Sequence, residues 1–126
     1  MAEIVHSKDA PEAVGPYSQA IKVGNMLFCS GQISINPETN ELELADIKQQ
    51  TGRVLKNLQA VIESAGFTVK DVVKTSVYLT DIKDFRGMNE IYAQFFTENK
   101  PARATVAVKS LPKGAKVEID AIAVKN

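Results

Sequence analysis

The spacing of apolar and polar positions changes along this chain, and the changes mark out its elements. Residues 2–6 lean apolar and predict a short first strand. Residues 9–18, DAPEAVGPYS, carry two prolines and a glycine, which predicts an ordered loop. Residues 19–23 and 26–32 read as two strands, and Gly24-Asn25 between them has the two-residue length favoured for a hairpin. Residues 34–44 contain Asn36-Pro37 and a mixed polar run, predicting a turn and an exposed extension. Over 46–65, Ile47, Val54, Leu55, Leu58, Val61, Ile62 and Ala65 recur at helical steps on one face. Asp46 is placed to cap that helix with Gln49 as its capping-box partner, and Gly66 to end it in the left-handed conformation.

In residues 71–80 the period drops to two. Val73, Thr75, Val77 and Leu79 alternate with Lys74, Ser76 and Tyr78, as in a strand. A second helix is predicted over 84–98, with Phe85, Met88, Ile91, Tyr92, Phe95 and Phe96 facing inward and Pro101 forbidding its continuation. Residues 103–109 read as a buried strand and 116–124 as the last one, joined by a loop with Pro112 and Gly114.

Six strands and two helices in this order predict an α+β fold, a mixed sheet with both helices on one face. A long helix between strands implies at least one parallel pair. The strands over 71–80, 103–109 and 116–124 carry apolar or small residues on both sides, so one sheet face lacks a partner within the chain. That imbalance predicts self-association.

Length and composition narrow the function. The 126 residues suit a single domain, 1–126, long enough to bury a real core. Lys plus Arg and Asp plus Glu number 15 each, a balance that argues against a broad nucleic-acid footprint or a membrane-surface role. The opening residues MAEIVHSKDAP have no apolar signal region, and no apolar run approaches the ~20 residues of a membrane span. The single cysteine, Cys29, allows no intrachain disulfide, so a reducing cytoplasmic setting is the expectation. One histidine, His6, and one cysteine cannot build a Cys/His zinc site, and no metal or cofactor motif is present.

The candidate chemistry centres on Arg103. A planar five-donor fork at the head of a strand, with Pro101 fixing the approach, suits bidentate grip of a carboxylate. The alternative is a structural ion pair, for instance to Glu118. In KVEIDAIAV, Glu118 and Asp120 share one sheet face with Ile122 and Val124. An acid among apolar neighbours can hold a raised pKa and pass protons near neutrality, unless both acids face water at an edge. Tyr17, in GPYS, either covers a site or plugs the core. Ser30-Gly31 is a place where backbone can approach a ligand closely, because glycine has no Cβ. Cys29 reads as a small core residue, and Asn89 as a helix-surface residue. A Ser/His or Cys/His nucleophile is disfavoured because His6 lies in a different strand.

Taken together, GPYSQA (15–20), FCSGQI (28–33), QTGRVLKNLQAVIESAG (50–66), VVKTSVYLTD (72–81), NEIYAQFF (89–96), PARATV (101–106) and LPKGAKVEIDAIA (111–123) resemble the Rid/YjgF family of reactive-intermediate (enamine/imine) deaminases. The resemblance covers nearly the whole chain. It implies a chorismate-mutase-like fold and a homotrimer whose sheets form a central barrel, with sites in the clefts between subunits. It implies hydrolysis of 2-imino and 2-enamino acids, such as 2-iminobutyrate and 2-aminoacrylate, to 2-oxo acids and ammonia without a cofactor. On this resemblance Arg103 is the carboxylate-binding arginine. Glu118, with a backbone carbonyl near Thr105, positions the attacking water, and Tyr17, Ser30, Gly31 and Asn89 line the cleft. One departure stands out: several members carry Cys where this chain has Thr105. Two other functions remain open at this stage. One is a regulatory trimer that binds a small carboxylate; the other is the RNA-directed activity (translation inhibition or endoribonuclease action) described for some members.

Overall fold

The structure, a computed structural model, describes residues 2–126. Its centre is a six-stranded sheet in the order β1-β2-β3-β6-β4-β5. The strands are β1 (Ala2–Val5), β2 (Ala20–Val23), β3 (Met26–Gln32), β4 (Val72–Leu79), β5 (Ala102–Ala107) and β6 (Val117–Val124). Two helices, α1 (Ile47–Ser64) and α2 (Phe85–Phe95), connect β3 to β4 and β4 to β5. β4 and β5 pair in parallel and the remaining neighbours are antiparallel, so the sheet is mixed. The parallel pair is the one joined by α2, because a crossover helix returns the chain to the same end of the sheet.

Strand alternation decides what each face carries. Leu27, Cys29, Thr75, Val77, Leu79, Val117, Ile119, Ala121 and Ala123 point to one face and are buried. Val54, Leu55, Leu58, Val61 and Ile62 of α1, with Met88 and Tyr92 of α2, close over them. Asp46 caps α1 by accepting from the Gln49 amide at 2.8 Å, and Gly66 follows its end at φ 83. The reciprocal side-chain bond from Gln49 is not formed, so Asp46 works as a simple N-cap. In the β2–β3 hairpin Gly24 takes the positive φ, 58, that a two-residue turn requires.

Several expectations need correction. Val73 does not share the core face with Thr75 and Val77. A bulge between Val72 and Lys74 puts Val72 in the core and leaves Val73 47% exposed. α2 ends at Phe95 rather than 98, and Phe85 at its start is 37% exposed instead of inward. Residues 34–44 fold back on themselves through an Ile35–Leu42 bridge, with Ser34 fully buried. β5 is an edge strand, and Ala102, Ala104, Val106 and Ala107 are exposed. The run looks like a buried strand because its residues are small or β-branched, but no described element covers its outer edge.

The opposite face carries Met26, Phe28, Ser76, Tyr78, Ala104, Val106, Glu118, Asp120, Ile122 and Val124, and no helix covers it. Among the described residues no helix is long and apolar enough to cross a membrane.

Leu58 is fully buried beneath the sheet. Leu58→Ala removes its packing and leaves a cavity, so unfolding in urea should show a loss of about 2–5 kcal/mol with an unchanged m-value.

Candidate functional site

Arg103 stands opposite Thr75 in the parallel β4–β5 register, which turns its side chain to the helix-covered face. There α2 presents Phe85, Asn89 and Tyr92 at steps of four and three, one stripe of the helix. The Asn89 carboxamide oxygen accepts from Arg103 Nη1 at 2.8 Å. The guanidinium carbon sits 4.7 Å from the centroid of the Tyr92 ring and 5.5 Å from that of Phe85. Tyr92 is itself fixed by a 2.7 Å hydrogen bond between its hydroxyl and Thr75 Oγ1. Burial pushes the Tyr92 phenol above its usual range, although the Thr75 bond and the Arg103 charge pull it back. The rings lie near the guanidinium and Asn89 binds one of its nitrogens, and among the described residues its other donors make no side-chain hydrogen bond. Among the described residues no carboxylate pairs with Arg103. An open pocket of about 470 Å³, lined by Asn89, Tyr92, Phe96, Lys100, Pro101 and Arg103, lies beside it.

Glu118 lies elsewhere. On β6 it faces the open side of the sheet and folds over Gly31, where an added Cβ would overlap its carboxylate. Burial raises the Glu118 pKa, and the charge of Asp120 raises it further. Burial also raises Asp120, against hydrogen bonds from Ser76 and Tyr78 that lower it. The cleft next to Glu118 is again about 470 Å³ and is lined in part by Tyr17, Ser30, Gly31, Ile33 and Lys113. Tyr17 is 54% exposed, so it covers the cleft and does not plug the core; its hydroxyl accepts from the Val14 amide at 3.4 Å. Ser30 donates its hydroxyl to the Ser18 carbonyl at 2.6 Å and its amide to the Gln19 carbonyl at 2.9 Å. Ser30 therefore ties the GPYS loop to β3, and its proton is already engaged.

Within one chain the expected constellation is thus split. Arg103, Asn89 and Thr105 are on the helix-covered face; Tyr17, Ser30, Gly31 and Glu118 gather on the other. The ion pair between Arg103 and Glu118 does not occur, because β4 lies between their strands and their side chains leave by opposite faces. Thr105 Oγ1 is buried without a hydrogen-bond partner. His6 bonds Glu12 at 2.9 Å and touches neither Cys29 nor Ser30. Cys29 is a core residue, its thiol pushed up to about 12 by burial and then by Asp120. Among the described residues no group of three or more His, Cys, Asp or Glu is placed to hold a metal ion. The aromatic cradle of Arg103 was not anticipated; the spacing of Phe85, Asn89 and Tyr92 on one helix stripe was the available signal.

The family model described as Endoribonuclease L-PSP (Ribonuc_L-PSP) matches residues 7–125. A RutC family protein of Pyrococcus horikoshii is 53% identical over 126 residues, covering 100% of both chains. The chain belongs to the Rid/YjgF (L-PSP) family. Among solved Rid/YjgF structures, the Rid family protein YyfA of Yersinia pestis superposes with a TM-score of 0.97 at 48% identity, covering 99% of this chain and 100% of that one. E. coli TdcF, solved with bound serine, superposes with a TM-score of 0.95 at 43% identity, covering 98% and 99%. These Rid/YjgF structures share the six-stranded mixed sheet with two helices, and the family match spans every candidate residue from Tyr17 to Glu118.

Two measurements test this geometry. In a carboxyl carbon NMR titration Glu118 should titrate above the ordinary glutamate value of about 4.3. Asp120→Asn should move it downward, because a neighbouring negative charge that disfavours ionisation is gone. Separately, Cys29 should resist alkylation at pH 8 in the native state and react only at the rate of unfolding.

Proposed function

We propose that this protein hydrolyses reactive 2-imino and 2-enamino acids, such as 2-iminobutyrate and 2-aminoacrylate, to 2-oxo acids and ammonia. The observation that carries the reading is the guanidinium of Arg103, held against two rings and Asn89, with no carboxylate pairing with it among the described residues. Its free donors suit the acid end of a small ligand. The serine bound to the related TdcF is such an acid, which supports a carboxylate ligand here.

The other half of the chemistry rests with Glu118. A protonated imine carbon is already electrophilic, so the protein needs to position one water and manage its protons. The Glu118 carboxylate accepts a proton as water oxygen bonds to the imine carbon, giving a carbinolamine. The same proton then goes to the nitrogen; as the C–N bond breaks and ammonia leaves, the hydroxyl oxygen forms the C=O bond of the 2-oxo acid and its proton passes to the Glu118 carboxylate, which releases it to the departing ammonia as ammonium. A carboxyl tuned upward suits these transfers near neutrality. Tyr17 and Ser30-Gly31 close the cleft around the water, and a backbone carbonyl near Thr105 shares in orienting it. No cofactor enters, and a reducing cytoplasmic setting suits the lone buried thiol.

Because Arg103 and Glu118 leave the sheet by opposite faces, the complete site needs a second copy. A homotrimer with the open sheet faces turned inward as a barrel would cover Phe28, Val106 and Ile122, and would bring the Arg103 edge of one copy to the Glu118 cleft of the next. Light scattering should give a mass of three chains, and a monomer with full turnover would overturn the assembly.

A second reading, RNA cleavage, is favoured by the description that the family carries. RNA cleavage that persists in Arg103→Ala would support it. A third, a trimer that binds a small carboxylate without turnover, would show ligand affinity and no acceleration.

The decisive assay measures ammonia or 2-oxo acid release coupled to threonine dehydratase. Arg103→Ala and Arg103→Lys should abolish the acceleration while the assembly persists; full activity in either would sink the reading. Glu118→Gln should lower kcat by roughly 10²–10⁴-fold. Since Glu118 must be ionised to take the proton and its pKa is raised, the wild-type rate should fall as pH drops through a midpoint above the ordinary glutamate range. Gly31→Ala places a Cβ against the carboxylate and Cγ of Glu118, so the Glu118 side chain must swing away, and the variant should fold yet lose activity.

A further inference from the structure

Three walls of the Glu118 cleft are irregular backbone: the loop through Pro11 and Ala13, the Ile33–Ile35 segment after β3, and the Pro112–Lys113 turn before β6. Strand pairing holds little of them in place. Each is also tied by a buried carboxamide. Gln19 accepts from the Ser7 amide at 2.6 Å and donates to the carbonyls of Ser7 at 3.0 Å and Pro11 at 2.7 Å. Gln50 accepts from the Lys116 amide at 2.9 Å and donates to the Ala45 carbonyl at 3.0 Å, tying the end of the Pro112 turn to the start of α1. Asn57, from the middle of α1, donates to the carbonyls of Ile33 at 3.2 Å and Ile35 at 2.9 Å. All three side chains are buried.

Asn57 shows most plainly what the amides are for. Its Oδ1 is buried with no partner, a cost that a leucine of similar size would not incur. The two bonds from Nδ2 are what the amide adds, and both end on the wall beside Glu118. Neither helix packing nor capping needs them.

We propose that Asn57, Gln50 and Gln19 are positioning residues for Glu118, which fix the width of its cleft and keep water access to its carboxyl narrow. Asn57 and Gln50 do not line the cleft and act through backbone segments; Gln19 lines it and also holds the loop through Pro11. The charged and titratable groups around Glu118 are Asp120 on its own strand, Tyr78 across on β4, and Glu12, Tyr17 and Lys113 on the cleft walls. The inference rests on the reading of Glu118 as the proton-transfer group, and its test has an arm that does not depend on turnover.

Asn57→Ala is compared with wild type and with Val61→Ala, which opens a core cavity one turn further along the same helix. Three quantities are read: the Glu118 carboxyl midpoint by NMR, kcat and KM for 2-iminobutyrate, and the urea midpoint. Asn57→Ala should lower kcat by about tenfold with KM changed by less than about twofold, the pattern of a lost transition-state contact. It should also move the Glu118 midpoint toward the ordinary glutamate value, as the loosened wall admits water. Val61→Ala should lose comparable stability and move neither. The inference is overturned if Asn57→Ala leaves both kcat and the midpoint unchanged, or if Val61→Ala shifts them equally. Should Asn57→Ala fail to fold, Gln50→Leu, which releases the Lys116 amide, is read in the same way. If wild type has no imine hydrolysis the proposed reaction fails, while the NMR comparison still decides whether Asn57 sets the environment of Glu118.

Discussion

A strand sends successive side chains to opposite faces of its sheet, and in this chain that rule separates Arg103 from Glu118. Arg103 shares a face with Thr75 and the helices, whereas Glu118 shares one with Tyr78 and Gly31. Side-chain rotation cannot bring them together through β4. The proposed site is therefore two half-sites on one protomer, and the uncovered apolar face and the divided chemistry become one problem. In the proposed assembly, a single mode of association would cover the first and complete the second.

Each half solves a different electrostatic difficulty. The guanidinium spreads its charge over a plane, so aromatic faces and one amide oxygen can hold it without neutralising it. Its orientation is set by Tyr92, whose hydroxyl is tied to Thr75 in the core. Glu118 lies in the reverse situation: partial burial and a neighbouring acid disfavour its charge, which makes it a better base than an exposed glutamate. A donor kept charged and an acid kept reluctant to ionise are complementary requirements, and the two faces of one sheet supply them separately.

Much of the fold was legible because the period of the hydrophobic pattern is clean. The α1 stripe, the Asp46 cap, Gly66 and the hairpin at Gly24 fall within a residue or two of expectation. Failures occurred where a local event breaks the period. The bulge at Val72–Lys74 reversed Val73, and no residue in that stretch announces a bulge. Phe85 was placed inward because helical spacing cannot tell a core neighbour from a guanidinium neighbour. Arg103, Glu118, Tyr17, Ser30, Gly31, Asn89 and Thr105 were named as a set by the family resemblance, but their placement on two faces of the sheet was not legible, since strand order is a long-range property. Asn57 and Gln50 were invisible as wall supports because a buried amide in a helix looks, in sequence, like a polar surface residue.

β5 carries Arg103 on a strand whose outer backbone edge has no neighbour in the chain. Proline at 101 and lysine at 109 flank the strand, and within it the inward-pointing Arg103 is the one charge set against the docking of another extended segment. A newly made copy that meets an unfolded segment before its proper companions would offer that edge as a template. Such misassembly would seat foreign backbone beside the guanidinium, so a failure of proteostasis would fall on the residue on which the proposed function rests.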